Sequence, residues 1–318
     1  ELGVTFLTGG LELDADIGLA YQPNDWLLTH QIHIIADSIA ARCRDVFTKT
    51  GGEPLTIDLT HRLRRLADES DHYWAANLVQ PAGSFAGSLL LSGSNSSDPA
   101  DRFEWLELRA DIEEVAEYLH LLPHLNQQLG LAASGSLAAE FQQRRLGTSC
   151  TGRLSFDGTH AHLADVRGLN VQKKSGVPLS GDFTWRVEAD SVDPKSRTWS
   201  ILDGRIRLAN AVIDKLQARA TIHQSEENPM AFSPDDLARA ECQLAGSVVF
   251  DEQLESLHPA LRDVLRDASL GGRVGWTAAL ELGSEALLVE GDVDGTDLSL
   301  RTTINSDELT TIEKSTQE

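Results

Sequence analysis

Apolar side chains fall on every second position along most of this chain. Leu11, Leu13, Ala15, Ile17, Leu19 and Tyr21 alternate with Glu12, Asp14 and Asp16. A repeat of two is that of a β-strand with one dry face and one wet face. The same rhythm returns at Leu55-Ile57-Leu59, from Trp105 through Leu106 and Leu108, at Leu137-Ala139-Phe141, at Leu154-Phe156 and at Leu179-Gly181-Phe183-Trp185-Val187. It continues at Ile206-Leu208, Leu216-Ala218-Ala220-Ile222, Leu244-Gly246-Val248-Phe250, Val274-Trp276-Ala278-Leu280-Leu282 and Leu298-Leu300. Asp157-Gly158, Asp203-Gly204 and Asp294-Gly295 carry the chemistry of tight hairpin turns, and Gly51-Gly52 and Gly271-Gly272 mark breaks. Short links between wet-faced strands predict an antiparallel sheet, so the expected class is mainly β.

Three segments carry helical spacing instead. Residues 36–49 place Ile39, Cys43, Val46 and Phe47 on one side and end at Gly51-Gly52. Residues 111–129 open with acids and carry Pro123, and residues 251–268 open with acids and carry Pro259. The last two segments are each followed by a Gly/Ser break, an alternating strand and a second strand with an Asp-Gly pair. This predicts a structural repeat about 140 residues long. The expected division is an irregular β block with one helix over 1–110, a helix plus β repeat over 111–250, and the start of a further repeat over 251–318.

Few helices for so many strands leave one sheet face without cover. That face must meet a second sheet, curl on itself or hold a ligand. Its candidate lining is Trp105, Leu137, Phe141, Leu154, Phe156, Phe183, Trp185, Val248, Phe250, Trp276 and Leu280. An ordinary closed core built from the same residues is the competing expectation.

Composition narrows the function. With 41% hydrophobic and 24% charged residues, the chain is of a kind that folds. A formal charge of −22 repels nucleic acid and anionic lipid surfaces, yet has no bearing on an apolar cavity that takes up hydrocarbon. No apolar run approaches the roughly 20 residues of a membrane helix. Residue 1 is Glu and the one methionine is Met230, so the sequence reads as a segment of a longer protein. Cys43, Cys150 and Cys242 are too widely spaced for a zinc ribbon and read as small apolar residues.

No nucleotide-binding, serine-elbow or metalloprotease motif occurs, and Gly147 to Gly152 misses the serine-elbow spacing. His160 and His162 would share a strand face, but spacing supplies them no third ligand, so they read as solvent-facing. His120 and His124 are separated by Pro123, and His30 and His33 would fall on opposite faces. Asp111, Glu113, Glu114 and Glu117 read as acids at a helix start, not as a calcium loop. Asn95-Ser96-Ser97 matches a glycosylation triplet. The expectation is a non-enzymatic protein with no metal and no cofactor.

The unit from Val115 to Leu163, VAEYLHLLPHL then LGLAASGSLAAEF then TGRLSFDGTHAHL, resembles the AsmA-like superfamily, which takes in the TamB and YhdP groups. ADVRGLNVQ from Ala164, LSGDFTWRVEAD from Leu179 and GRIRLANAVIDKLQARATI from Gly204 continue the likeness. It covers most of residues 105 to 300 and rests on rhythm and composition. The resemblance implies a periplasmic envelope protein anchored in the inner membrane by a segment absent from this sequence. It further implies a long curved antiparallel sheet forming an open apolar groove that conducts phospholipids between the inner and outer membranes. An assembly scaffold for envelope or outer-membrane proteins, without lipid transport, is the alternative expectation.

Overall fold

The computed structural model describes residues 4–23, 25–43, 47–49, 51–66, 69–94, 102–117, 132–164, 172–189, 196–223, 237–251, 254, 270–282, 287–295 and 297–300. The strands fall into blocks. The first holds β1 (Val4–Thr8), β2 (Glu12–Gln22), β3 (Asp25–Ile35), β4 (Ala40–Cys43), β5 (Phe47–Lys49), β6 (Thr56–Leu66), β7 (Glu69–Gln80), β8 (Gly83–Ser94) and β9 (Arg102–Ile112). The second holds β10 (Ala132–Ser134), β11 (Leu137–Leu146), β12 (Ser149–Asp157), β13 (His162–Ala164), β14 (Gln172–Lys173), β15 (Leu179–Ala189), β16 (Ser196–Leu208), β17 (Ala211–His223) and β18 (Leu237–Phe250). The third begins with β19 (Leu270–Leu282), β20 (Leu287–Asp294) and β21 (Ser299–Leu300).

The long strands join in one antiparallel sheet, ordered β2-β3-β6-β7-β8-β9-β11-β12-β15-β16-β17-β18-β19-β20, with β21 pairing β19 beside this path. The two ends of the path do not meet, so the sheet is open. The expected mainly β, open antiparallel architecture is what the chain adopts. The sheet has no covering layer among the described residues. The chain exposes 21044 Å², where a compact monomer of this mass exposes about 13,000 Å². Buried apolar residues such as Ala36, Leu55, Val115, Val177, Ala209 and Leu254 lie mainly in the links along one strand-end rim.

Those links are built alike. β1, β4 and β5 form a small side sheet next to β2 and β3, and β10, β13 and β14 form its counterpart next to β11 and β12. At the start of each block a glycine with positive φ passes over a turn carbonyl. Gly9 (φ 110°) meets Ser38 O, Gly135 (φ 82°) meets His160 O and Gly272 (φ 105°) meets Asp297 O. A side chain would collide with the carbonyl, and the left-handed backbone favours glycine. The repeat is therefore six long strands per block. It begins in residues 1–110, where the sequence suggests an irregular block.

Two buried lysines hold the rim turns. Lys49 Nζ donates to Ile39 O at 2.9 Å and Asp37 O at 3.5 Å. Lys173 Nζ donates to Ala161 O at 2.6 Å and Thr159 O at 2.9 Å, the equivalent carbonyls one block later. Lys173 is fully covered, and desolvation lowers its pKa, partly offset by Asp157. Its cover is thin, a layer of turn backbone and not a deep core.

Several expectations need correction. Residues 36–43 and 47–49 form a turn followed by β4 and β5, not a helix, and residues 44–46 lie outside the described residues. Pairing of β4 with β1 and β5 supplies backbone partners that outweigh helical spacing in a segment of modest helix formers. Asp111 and Ile112 end β9, where Ile112 pairs Gly83 and Leu137. One helical turn follows at residues 115–117, with Glu114 Oε1 accepting from Ala116 N. The rest of the 111–129 helix, and of 251–268 apart from Asp251 and Leu254, lies outside the described residues. None of the Asp-Gly pairs closes a hairpin. Asp203-Gly204 lies inside β16 at a register shift, Asp157 ends β12 ahead of the side-sheet strand β13, and Asp294 ends β20 ahead of β21, which pairs β19. Tight reversals instead use Gly147-Thr148 and Ala209-Asn210, with Gly147 and Ala209 at positive φ. Among the described residues no helix is long and apolar enough to cross a membrane.

Lys173→Met should destabilise the protein by about 3 kcal/mol, because turn carbonyls lose a charged donor without gaining water. Chemical denaturation of the two proteins measures the difference.

Candidate functional site

In an antiparallel ladder, directly opposed residues point to the same face. One row runs Ile32, Leu59, Ala76, Gly87, Leu108 and Phe141, then Leu154, Phe183 and Gly204. The next runs Ile34, Ile57, Leu78, Phe85, Ala110 and Ala139, then Phe156, Gly181 and Ile206. On β19, Trp276 opposes Gly246 and Leu280 opposes Cys242. This face is apolar along its middle rows. Toward one strand end it becomes polar, with Arg65, Ser70, Arg102 and the Glu104–Arg145 ion pair at 3.6 Å.

Ten of the proposed lining residues share this face: Leu137, Phe141, Leu154, Phe156, Phe183, Trp185, Val248, Phe250, Trp276 and Leu280. Trp105 does not. It opposes Leu90 and Arg144, on the other side of the sheet. Trp105 and Leu106 are adjacent apolar residues, so the pattern alone leaves the parity of β9 open. Leu108 and Ala110 settle it.

Aromatic rings lie nearly parallel across the second block. Phe141 and Trp185 have centroids 6.1 Å apart, Trp185 and Trp199 6.3 Å, and Phe156 and Phe183 6.4 Å. The Trp185 indole lies over Gly152, where any Cβ would run into it. The pairing of glycine with an aromatic on the next strand is a packing requirement of this face.

The first block carries histidines at the matching positions. His61 opposes His30 and Trp74, as Trp185 opposes Gly152 and Ile201. His61 stacks on Trp74 at 3.7 Å, with His30 at 5.5 Å and His72 at 6.2 Å. Its Nε2 is buried without a hydrogen-bond partner. Desolvation, then the nearby His30 and His72, hold the His61 pKa below the ordinary 6.5. His30, His61 and Trp74 wall an open concavity of about 670 Å³ with Ile32, Leu59, Phe85, Leu89, Leu106 and Leu108, and His72 stands beside it. His61, His72 and Trp74 went unread in the sequence. Their alternation with Leu63, Ala76 and Leu78 is the signal that places them.

The opposite face is polar and charge-paired. Arg64 meets Asp25 at 3.0 Å, Arg239 meets Glu281 at 2.8 Å, and Arg153 meets Asp182. Hydrogen bonding to Arg64 lowers the Asp25 pKa. His33 Nδ1 meets Asp58 at 2.6 Å, which raises the His33 pKa. Such exposed pairs add little stability but keep this face wet.

Little reactive chemistry gathers among the described residues. Among the described residues no three His, Cys, Asp or Glu side chains converge as metal ligands. Burial raises the thiol pKa values of Cys150 and Cys242, the opposite of a reactive thiolate. His160 sits in a turn and His162 opens β13, so the expected shared strand face does not exist. Both are exposed. Glu114 accepts from Gly135 N at 2.9 Å as well as from Ala116 N, so backbone amides occupy it. His120, His124 and Asn95-Ser96-Ser97 lie outside the described residues, as does the Cys43 side chain. No family model, no curated protein and no solved structure matches this chain.

His61→Phe should stabilise the fold by about 1 kcal/mol by removing an unpaired buried nitrogen and keeping the stack on Trp74. It should also alter the pH response. Unfolded His61 binds a proton more readily than folded His61, so its contribution is intact above pH 6.5 and falls away on acidification. His33 opposes this, stabilising below 6.5 and losing its effect as pH rises through its raised pKa. Melting curves of wild type and variant across this range should show the variant's advantage growing toward acid.

Proposed function

We propose that this chain is a segment of a cell-envelope protein that holds phospholipid acyl chains on its apolar sheet face. The face curls into a groove and conducts lipid between the inner and outer membranes. One observation carries the reading: an open, single-layer sheet bears continuous apolar rows across its strands and has no covering layer among the described residues. Exposed apolar residues on that face include Ile17, Leu19, Trp74, Phe85, Trp199 and Val293. Strands about 4.8 Å apart give fourteen of them a span of roughly 60 Å, about twice a bilayer's hydrocarbon core. Each buried methylene contributes about 0.8 kcal/mol, so a tail is held by many equal contacts and can slide between them. No residue acts chemically on the lipid. The periplasmic setting and the inner-membrane anchor rest on the resemblance to AsmA-like proteins.

The outer strands favour a second reading, an assembly scaffold. All eleven residues of β2 are exposed, and the strand pairs only with β3 among the described residues. A partner strand in the envelope would add there through backbone hydrogen bonds and leave the apolar face unused.

Trp185→Glu separates these readings from each other and from a closed core. On an open face the carboxylate turns toward water and the fold survives, while a tail passing it must desolvate the charge. The expected result is a cooperative melt near that of wild type with several-fold less photo-crosslinked lipid. Lipid captured by neither protein would favour the scaffold, and a variant that unfolds would favour a closed core.

A further inference from the structure

We propose that the concavity over β3, β6, β7, β8 and β9 is an acid-releasable seat for an acyl chain, with His61, flanked by His30 and His72, as its switch. The inference rests on the lipid-holding reading and adds regulation to one part of that face.

The repeat supplies the comparison. Counting back from the equivalent turns at Ser38 and His160, His30 matches Gly152, His61 matches Trp185 and His72 matches Trp199. The second block thus keeps a permanently apolar floor where the first block has imidazoles. A neutral imidazole stacked on Trp74 is compatible with hydrocarbon. A protonated one is not, because a charge facing a tail finds no counter-ion and no water.

The surroundings do not neutralise such a charge. Facing His61 are His30 from β3, and His72 and Trp74 from β7. Leu59, Leu63 and Arg65 follow on its own strand, Ile17 and Leu19 stand beyond on β2, and Leu89 stands on β8. Among the described residues the one acid on this face nearby is Glu104 of β9, which is paired with Arg145. His33 and Asp58 lie on the opposite face. Water drawn in to solvate a charge on His61 displaces the tail.

The occupant is hydrocarbon by the same chemistry. At neutral pH the middle of the seat offers hardly any hydrogen-bond partner beyond the imidazoles. A peptide segment would bury unpaired backbone amides there, and an acyl chain has none.

The test places a photo-crosslinking residue at Leu108 or at its second-block equivalent, Leu244. The whole chain is loaded from phosphatidylcholine vesicles, whose headgroup charge does not change over the range used. Capture is measured at about pH 7.5 and about pH 5, on either side of imidazole titration. The expected result is a several-fold fall at Leu108 on acidification with Leu244 unchanged. The fall should disappear in His30→Leu/His61→Phe/His72→Leu and persist in His33→Gln. Equal capture at both pH values, a parallel fall at both positions, or a fall that survives the triple substitution overturns the switch and leaves the lipid reading standing. No capture at either position at neutral pH overturns both.

Discussion

The structure depends on one constraint: the long strands satisfy their backbones against neighbours in a single layer, with no second layer among the described residues to fix the register. In most sheets a packed core penalises a one-residue slip, since the slip turns every side chain over. Here that penalty comes from the two faces themselves. A slip would bury the Asp25–Arg64 and Arg153–Asp182 pairs among aromatics and send Phe183 and Trp185 to the wet side. It would also break the fit of Trp185 over Gly152. Alternation in the sequence is therefore what holds the strands in line.

The rim supplies what the sheet lacks. The side sheets, the positive-φ glycines and the buried lysines repeat from block to block, and the fully buried apolar residues concentrate among these links. A lysine donating to the carbonyls of one turn does locally what a hydrophobic core does elsewhere, fixing where a long connection leaves and rejoins the sheet. This division lets the face stay open without the strand order depending on whatever covers it.

Much of this was legible in the sequence. Alternation at Leu11 to Tyr21, Leu137 to Phe141 and Val274 to Leu282 marks β2, β11 and β19, and ten lining residues fall on one face by parity alone. The failures share a physical cause, which is that local signals were outweighed by distant partners. Ile39, Cys43, Val46 and Phe47 have helical spacing, yet β1 recruits residues 40–43 into a sheet. Asp203-Gly204 reads as a turn, yet Gly204 makes room for Phe183 and Leu216 within a strand. Lys49 and Lys173 went unread because nothing in the sequence shows the carbonyls they meet. His61 went unread because its place shows only once its strand is paired with Trp74.

The central claim is that the apolar face meets hydrocarbon, and the tryptophans report on it directly. Of six, Trp26, Trp74, Trp185, Trp199 and Trp276 share that face, and Trp105 alone stands on the other. Tryptophan fluorescence should be titrated with phospholipid brominated along its acyl chains, which quenches only at contact. The account predicts quenching of most of the emission, with a residual signal that Trp105→Phe removes. Emission that stays unquenched at saturating lipid, or a quenched fraction that Trp105→Phe abolishes, would contradict it.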